Sequence, residues 1–130
     1  MSHDLFEAAR DAMAYCHAPY SKFPVGAAIR AEDGKIYTGA NIENISFPQG
    51  WCAEPTAISM MIMGGARKIV EMAVIAEKLP LCPPCGGCRQ KISEFASKDT
   101  KIYLCDEVGV QKTMTMEELL PASFKTGVLG

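Results

Sequence analysis

Apolar residues recur at helical spacing in three stretches of the chain, and each stretch predicts a helix. The first covers about residues 2–16, with Asp4 and Glu7 spaced as in a capping box. Its apolar stripe consists of Leu5, Ala8, Ala9, Ala12, Met13 and Cys16. The second, about 52–63, is apolar almost all round, as is typical of a helix packed on a sheet, and we interpret its methionines as core residues. The third runs from about 85 to 97.

Segments that favour strands lie between these helices. Segments 23–31 and 35–41 flank the turn-forming segment 32–34, which predicts a β-hairpin. Segment 70–76 contains a continuous apolar run and is therefore predicted to be a central strand covered on both faces.

The remaining segments complete the predicted sheet. Segment 101–105 follows the third helix, and this strand–helix–strand order predicts a βαβ unit with a right-handed crossover. The link 106–109 is too short for a crossover, so 110–113 should pair antiparallel with the preceding strand. A last short helix is predicted over 115–120, because its Thr-x-x-Glu start is a capping box. The fold class is therefore α/β: a three-layer αβα sandwich with a five-stranded mixed sheet.

Length and charge limit the possible functions. The 130 residues predict one domain, 1–130, which is long enough to bury a core without disulfides. With 13 basic and 15 acidic residues and no basic run, the chain lacks the positive surface expected of a polynucleotide binder. The charged N-terminal segment resembles neither a secretory signal nor a membrane span, so we expect a cytoplasmic protein. In that reducing compartment the six cysteines are expected to be metal ligands or buried thiols.

Two short segments place cysteines at the starts of two predicted helices. Cys52 lies two residues before Glu54, and Cys85 and Cys88 follow a proline as Pro-Cys-x-x-Cys. That spacing lets two thiolates of one helical turn converge with Cys52 on one Zn²⁺ per chain. Three protein ligands leave the fourth tetrahedral position for water, which is typical of a catalytic zinc. Glu54 is not needed as a ligand, and we expect it to carry the proton from that water to a leaving amine.

The other cysteines leave a second interpretation open. Cys82 could join the three thiolates in a closed structural zinc site, in which Glu54 would be merely an acid at a helix N-terminus. Two prolines follow Cys82, which argues that it lies outside the helix that orients the other ligands. Cys16 and Cys105 fall in apolar stretches and are predicted to be buried, inert thiols.

The Cys-x-Glu motif followed by Pro-Cys-x-x-Cys is the pattern of zinc deaminases that act on cytosine or adenine. Segments 18–28, 41–44 and 119–121, together with Phe124, resemble the small cytidine deaminases that act on free nucleosides. The resemblance extends from about residue 6 to residue 124. It implies hydrolytic deamination of cytidine and 2′-deoxycytidine to uridine and 2′-deoxyuridine with release of ammonia, in pyrimidine salvage.

The resemblance also implies roles that spacing alone leaves open. In the family, the residues matching Asn41 and Glu43 hold the ribose hydroxyls, whereas from this sequence alone Asn41 could equally be a turn former and Glu43 a solvated charge. The backbone near Ala53 and Cys85 resembles the family's contact surface for the base edge. Aromatic residues that would otherwise be interpreted as core are placed by the resemblance around the pyrimidine ring: Phe23, Phe47 and Phe124.

The family resemblance further implies an assembly. In tetrameric members the aromatic residue that matches Phe124 reaches the active site of the neighbouring subunit. We therefore expect a homotetramer with shared active sites, a small nucleoside as substrate, and neither a polynucleotide nor a membrane as partner.

Three other functions would use parts of the same pattern. A deaminase of a cytosine-nucleoside antibiotic such as blasticidin S would share every metal residue, although the sugar motif Asn41-x-Glu43 argues against it. An enzyme that edits polynucleotides would need a basic surface, which this composition does not favour. A non-catalytic zinc protein would keep the cysteines but would have no use for Glu54.

The chain departs from the family pattern at one clear position. The usual Cys-Ala-Glu-Arg is replaced here by Cys-Ala-Glu-Pro, with Pro55 where the relatives have an arginine that hydrogen-bonds the ligand sulfurs. Proline suits the first turn of a helix, where no backbone N–H is needed. Without that arginine the zinc-bound water is expected to be harder to ionise, with the helix N-termini and Arg89 offsetting only part of the missing positive charge.

Overall fold

The helices and strands follow one another in the predicted order, with differences at the ends of several elements. The computed structural model describes residues 2–79 and 83–124. Its helices are α1 (Ser2–Met13), α2 (Ala53–Met63), α3 (Gly86–Phe95) and α4 (Met116–Leu119), and a 3₁₀ turn covers Phe47–Gln49. The strands are β1 (Val25–Ala31), β2 (Ile36–Ala40), β3 (Ile69–Ala76), β4 (Ala96–Cys105) and β5 (Val110–Thr115).

All five strands form one mixed sheet with the order β2-β1-β3-β4-β5. β1 pairs antiparallel with both β2 and β3, and β4 pairs antiparallel with β5. β3 and β4 are parallel neighbours and are joined in sequence by α3. The predicted hairpin, the strand–helix–strand unit and the antiparallel last strand are therefore confirmed.

The sheet separates two apolar clusters, because successive residues of a strand point to opposite faces. On one face α1 packs against inward-pointing strand residues in a cluster that includes Leu5, Phe6, Ala9, Ala28, Ala73 and Ile75. On the other face α2, α3 and α4 pack in a larger cluster that includes Ala57, Met61, Ile92, Leu119, Ile29, Val74 and Leu104. The predicted three-layer αβα sandwich is confirmed.

α1 begins at the predicted residue but ends earlier than predicted, and its predicted capping box is absent. It ends at Met13 rather than near residue 16, and because it begins at Ser2, Asp4 lies inside the first turn and the predicted capping box is wrong. The Asp4 carboxylate instead accepts a hydrogen bond from the Arg30 guanidinium at 2.7 Å. Arg30 also donates to the Glu71 carboxylate at 2.9 Å, so these ion pairs fasten α1 to β1 and β3.

α3 is shorter than predicted and β4 is longer. The helix ends at Phe95, because Ala96 already has an extended backbone (φ −112°, ψ 157°). Beyond it, the Thr100 hydroxyl accepts from the Ser97 N–H at 3.0 Å and donates to the Ile69 carbonyl at 3.2 Å. The Thr100 side chain thus ties the start of β4 to β3. This part of β4 was not predicted, because its polar residues do not form a strand pattern.

α4 begins as the sequence predicts. The Thr115 hydroxyl accepts a hydrogen bond from the Glu118 N–H at 3.2 Å, and the Glu118 carboxylate accepts one from the Thr115 N–H at 2.9 Å. This reciprocal pair confirms the predicted capping box.

α2 is less completely buried than its composition suggests. Met61 is fully buried, whereas Met60 is 54% exposed and Met63 is 84% exposed. Our interpretation of this methionine group as core is therefore wrong for Met60 and Met63, which lie on the face of α2 turned away from the sheet. Within 2–79 and 83–124, no helix combines the length and the apolar character that crossing a membrane requires.

Candidate metal centre and catalytic carboxylate

The start of α2 presents Cys52 and Glu54 together. Cys52 is the N-cap and has an extended backbone (φ −76°, ψ 165°), while its side chain makes no capping hydrogen bond. Its carbonyl accepts from the N–H of Thr56 at 3.3 Å and from the hydroxyl of the same residue at 2.8 Å. Pro55 lies in the first turn, where its missing N–H costs no hydrogen bond. The helix therefore starts without using the Cys52 sulfur.

A glycine on the edge strand β2 fixes the position of this helix start. A β-carbon on Gly39 would lie 2.7 Å from the Ala53 carbonyl oxygen and 2.8 Å from the Thr56 β-carbon, and it would also meet the backbone nitrogen of Ala57. Such distances leave no room for a side chain. The first turn of α2 therefore packs directly on the backbone of β2.

α3 starts in the same way as α2. Cys85 is its N-cap, again with an extended backbone (φ −67°, ψ 169°) and without a side-chain capping bond. Its carbonyl accepts from the Arg89 N–H at 2.9 Å, and Cys88 lies buried in the first turn. Each helix thus directs the positive end of its dipole toward the cysteine at its start.

The three thiols predicted to bind zinc lie together. The sulfurs of Cys52, Cys85 and Cys88 are all within 4.8 Å of one another, with the first two residues exposed and the third buried. Zinc–sulfur bonds of about 2.3 Å in a tetrahedron place sulfurs about 3.8 Å apart, so the cluster fits this ion with a small adjustment. Three thiolates suit Zn²⁺ chemically, and the exposed side of the cluster leaves room for a fourth ligand.

The remaining cysteines are Cys82, Cys105 and Cys16. Cys82, which would complete the alternative closed site, lies outside the described residues. Cys105 is buried, and burial raises the pKa of its thiol to about 11, so it stays a protonated thiol at neutral pH. Cys16 is half-buried rather than buried as predicted, because α1 ends before it.

Hydrogen bonding within the cluster separates the acidities of its thiols. A hydrogen bond from Cys88 lowers the pKa of Cys52 to about 6, and the positive charge of Lys91 acts in the same direction. The same bond to Cys52, together with burial, raises the pKa of Cys88. Without a metal the sulfurs therefore share protons, and those protons must leave when a cation binds.

Glu54 is the buried carboxyl beside this cluster. Its side chain is 5% exposed, and burial raises its pKa to about 7, with the negative charge of Cys52 adding to the effect. A group whose pKa is near the working pH can both accept and donate a proton. A buried carboxyl whose pKa is perturbed in this way, beside a cluster of possible metal ligands, is typical of a functional site.

Two basic residues of α3 have different surroundings. The Arg89 guanidinium donates to the Pro84 carbonyl at 2.7 Å and to the Leu119 carbonyl at 3.0 Å, so it ties the cysteine loop to α4. The Lys91 Nζ lies 4.3 Å from the centre of the Trp51 ring, and its charge lowers the pKa of Cys52. The sequence indicated a role for Arg89 but not the Lys91–Trp51 contact, because no motif marks that contact.

Asn41 and Glu43 hold the segment that precedes β1. The Asn41 amide donates to the Phe23 carbonyl at 2.9 Å and accepts from the Val25 N–H at 3.0 Å. The Glu43 carboxylate accepts from the Tyr20 N–H at 3.0 Å, from the backbone N–H of Ser21 at 3.1 Å and from the hydroxyl of that serine. The serine hydroxyl is the main reason that the pKa of Glu43 is lowered. Glu43 is therefore not simply a solvated charge.

A cavity of about 340 Å³ adjoins Glu43 and is lined by Tyr20, Ser21, Glu43, Asn44, Phe47 and Gly50. The rings of Tyr20 and Phe47 form an edge contact with 6.3 Å between their centres. Glu43 and Phe47 were predicted as site residues and Tyr20 was not, although Tyr20 belongs to segment 18–28, on which the family resemblance rests.

The remaining predicted contact residues differ in exposure. Phe23 is half-buried and Ala53 is fully buried. Phe47 is 75% exposed and Phe124 is 81% exposed, so neither is a core residue of the single chain. The Gln90 amide donates to the Phe124 carbonyl at 2.9 Å, which ties the C-terminal segment to α3.

The chain was compared with known families and proteins. A family model described as the cytidine and deoxycytidylate deaminase zinc-binding region matches residues 1–104. A cytidine deaminase of Halalkalibacterium halodurans is 44% identical over 108 residues, which are 83% of this chain and 82% of that protein. A cytidine deaminase of Sporosarcina psychrophila is 42% identical over 120 residues, or 92% and 88% of the two chains.

Solved structures agree with these sequence matches. The crystal structure of a cytidine deaminase from Burkholderia pseudomallei superposes with a TM-score of 0.90 at 36% identity and covers 95% of this chain and 99% of its own. A cytidine deaminase from Mycobacterium tuberculosis superposes with a TM-score of 0.84 at 31% identity, covering 95% and 96% of the two chains. The likeness therefore extends over nearly the whole described fold.

Proposed function

Because this chain belongs to the cytidine and deoxycytidylate deaminase family, we propose that it hydrolyses cytidine and 2′-deoxycytidine to uridine and 2′-deoxyuridine, releasing ammonia. The observation that carries this proposal is the cluster of three sulfurs within 4.8 Å of one another beside a buried Glu54, whose pKa is raised to about 7. Neither a purely structural zinc site nor a simple binding protein needs such a carboxyl.

The zinc ligands in this proposal are Cys52, Cys85 and Cys88, one ion per chain. When bound, Zn²⁺ supplies Lewis-acid activation of water at neutral pH. Replacing any of the three by alanine should remove the metal, whereas Cys82→Ala should keep it. Metal analysis of the four purified variants checks this, and loss of zinc from the Cys82 variant would favour the closed four-thiolate site.

Glu54 moves the protons in the proposed reaction. The overall change consumes one water, breaks the C4–N bond of cytosine and forms the C4 carbonyl of uracil. Glu54 takes one proton from the attacking water and delivers it to N3 of the base. It then takes the second proton from the hydroxyl at C4 and gives it to the leaving amine, so that the C4 carbonyl forms as ammonia departs. A carboxyl with a pKa near 7 can perform both halves of this transfer at neutral pH.

Substrate contacts follow from the family and from the remaining hydrogen-bonding capacity of the chain. Asn41 and Glu43 bind the sugar hydroxyls, since an amide and a carboxylate each offer more bonds than the neighbouring backbone uses. Ala53 and Cys85 present their backbone to the edge of the base. Aromatic side chains pack around the pyrimidine ring, namely Phe23, Phe47 and Phe124.

A substrate panel tests this function. Purified protein is mixed with cytidine, deoxycytidine, cytosine, adenosine and blasticidin S, and the ultraviolet absorbance is followed. We expect turnover of the first two compounds. Turnover of blasticidin S alone would instead favour the antibiotic deaminase, whose metal residues would be the same.

We also propose a homotetramer with shared active sites, working in the cytoplasm. Exposed aromatic residues at the site support the shared arrangement, because Phe47 and Phe124 are too exposed in the single chain to enclose a base. A reducing compartment such as the cytoplasm would keep the three thiols free to bind zinc.

A further inference from the structure

Trp51 and Lys91 join the two segments that carry the metal thiols. The Lys91 Nζ lies 4.3 Å from the centre of the Trp51 ring, which is within the range of a cation–π interaction. Trp51 directly precedes Cys52, and Lys91 follows Cys88 by three residues, or about one helical turn. The contact therefore links the loop that delivers one ligand to the helix that carries another.

The backbone of Trp51 is fixed separately from its ring. The N–H of Trp51 donates to the Ile42 carbonyl at 2.8 Å, and the N–H of Ile42 donates back to the Trp51 carbonyl at 2.8 Å. The tryptophan is nevertheless 45% exposed, so core packing does not enclose its ring. The ammonium of Lys91 thus supplies a contact that holds the Trp51 ring against α3. Because Trp51 directly precedes Cys52, the contact also acts on the Cys52 segment.

Other basic groups near the site are used differently. The Arg89 guanidinium donates to the carbonyls of Pro84 and Leu119, and Pro55 carries no charge. The Lys91 Nζ, in contrast, contacts the Trp51 ring, at 4.3 Å from the ring centre. Of these groups, Lys91 therefore contacts the segment that carries Cys52.

We propose that Lys91 is a positioning residue for the metal centre, because its ammonium, seated on the Trp51 indole, holds the Cys52 segment against α3. A ligand that is already in place loses less conformational freedom when the metal binds. Removing the contact leaves Cys52 freer to move away, so zinc dissociates faster. This inference rests on the zinc binding proposed above.

The test measures the rate at which zinc passes from the purified holoprotein to an excess of a coloured chelator. Lys91→Met, which keeps an unbranched apolar side chain, should release zinc about two- to fivefold faster, the factor that corresponds to a cation–π contact at an exposed site. Lys91→Arg keeps the cation and should restore the slow rate. Lys112→Met, at an exposed position on β5, is the matched control and should release zinc like the original protein.

A double-mutant cycle separates positioning from a direct effect of charge. In a Trp51→Leu background the ring is absent, so Lys91→Met should cause no further acceleration. Equal acceleration in both backgrounds would mean that the lysine acts on the thiolates through its charge alone, and would overturn the proposal. Unchanged rates in Lys91→Met would overturn it as well.

Two further readouts keep the outcome interpretable. Trp51 is the single tryptophan of the chain, so Lys91→Met should change the protein's tryptophan emission, and identical emission would contradict the contact. The zinc content of the original protein distinguishes failure of this inference from failure of the proposed function. One zinc per chain with unchanged release rates overturns this inference alone, whereas no bound zinc overturns both the inference and the proposed function.

Discussion

At the scale of single residues, the properties of Glu54 come from its surroundings. Burial withdraws the water that would stabilise the charged carboxylate, and Cys52 adds negative charge nearby, so the pKa rises from 4.5 to about 7. A group held in this state destabilises the folded chain whenever the pH forces it to ionise. The same environment that suits Glu54 to proton transfer therefore costs the metal-free protein stability.

This cost can be measured in zinc-free, reduced protein. The unfolded state loses the Glu54 proton at lower pH than the folded state does, so the free energy of unfolding falls as the pH rises from about 4.5 to about 7. The full shift is worth about 3 kcal/mol, of which about 2.5 kcal/mol lies between pH 5 and pH 8. Urea unfolding at these two pH values should show that loss in the original protein relative to Glu54→Gln. Equal pH dependence in both would place Glu54 in a more polar environment.

Residues with local motifs were predictable, and residues with distant partners were not. The roles of Cys52 and Glu54 could be predicted from their spacing, because both residues lie within one helical turn. The hydrogen bonds of Asn41 to Phe23 and Val25 join residues that are 16 to 18 positions apart in the sequence, so no local sequence pattern predicts them. The Lys91–Trp51 contact was missed for the same reason.

At the scale of secondary-structure elements, the contact between β2 and α2 determines the position of the helix start that carries Cys52 and Glu54. A methyl group at Gly39 would collide with backbone atoms of the first turn of α2. Backbone cannot move aside as a flexible side chain can, so Gly39→Ala should destabilise the fold by about 1–3 kcal/mol or more. Urea unfolding of the zinc-bound protein measures this change.

Gly87 provides the matched control for Gly39. It lies in the first turn of α3, and a β-carbon there would meet open space. Gly87→Ala should leave stability unchanged or raise it by up to about 1 kcal/mol, because alanine favours the helix. If both alanine variants unfold at the same urea concentration, the close approach at Gly39 does not hold α2 in place.

Element starts were predicted better than element ends. The caps of α2, α3 and α4 follow from short polar or cysteine-containing motifs, and each helix starts within a residue of its predicted position. The polar start of β4 has no strand pattern of its own, since pairing with β3 and the Thr100 hydroxyl stabilise it instead. Burial on α2 was overestimated because composition cannot tell which face of an apolar helix meets the sheet.

At the scale of the whole molecule, the single chain leaves several large apolar side chains in contact with solvent. Phe124 is 81% exposed, and the segment 42–51 exposes several large apolar side chains, namely Ile42, Ile45, Phe47 and Trp51. Such exposure near the proposed nucleoside site favours covering by another copy of the chain. The proposed assembly would complete the wall around the base.

Mixing two impaired variants tests whether sites are shared. Phe124→Ala should weaken nucleoside binding by about 1–3 kcal/mol if its ring stacks on the base. When it is refolded together with Glu54→Gln in equal amounts, about a quarter of the sites should combine an intact Glu54 with a neighbour's intact Phe124. Activity above that of the separately refolded variants is expected. Activity that never exceeds their average would confine Phe124 to its own subunit.

The central claim is that Glu54, beside a zinc ion held by three cysteines, carries the protons in cytidine deamination. The most direct measurement is kcat/KM for cytidine in Glu54→Gln at matched zinc content, with the exposed Glu94→Gln on α3 as control. We predict that Glu54→Gln keeps one zinc per chain and its fold but loses about a hundredfold to ten-thousandfold in kcat/KM, while the control is unaffected. Near-normal turnover in zinc-loaded Glu54→Gln would contradict the account.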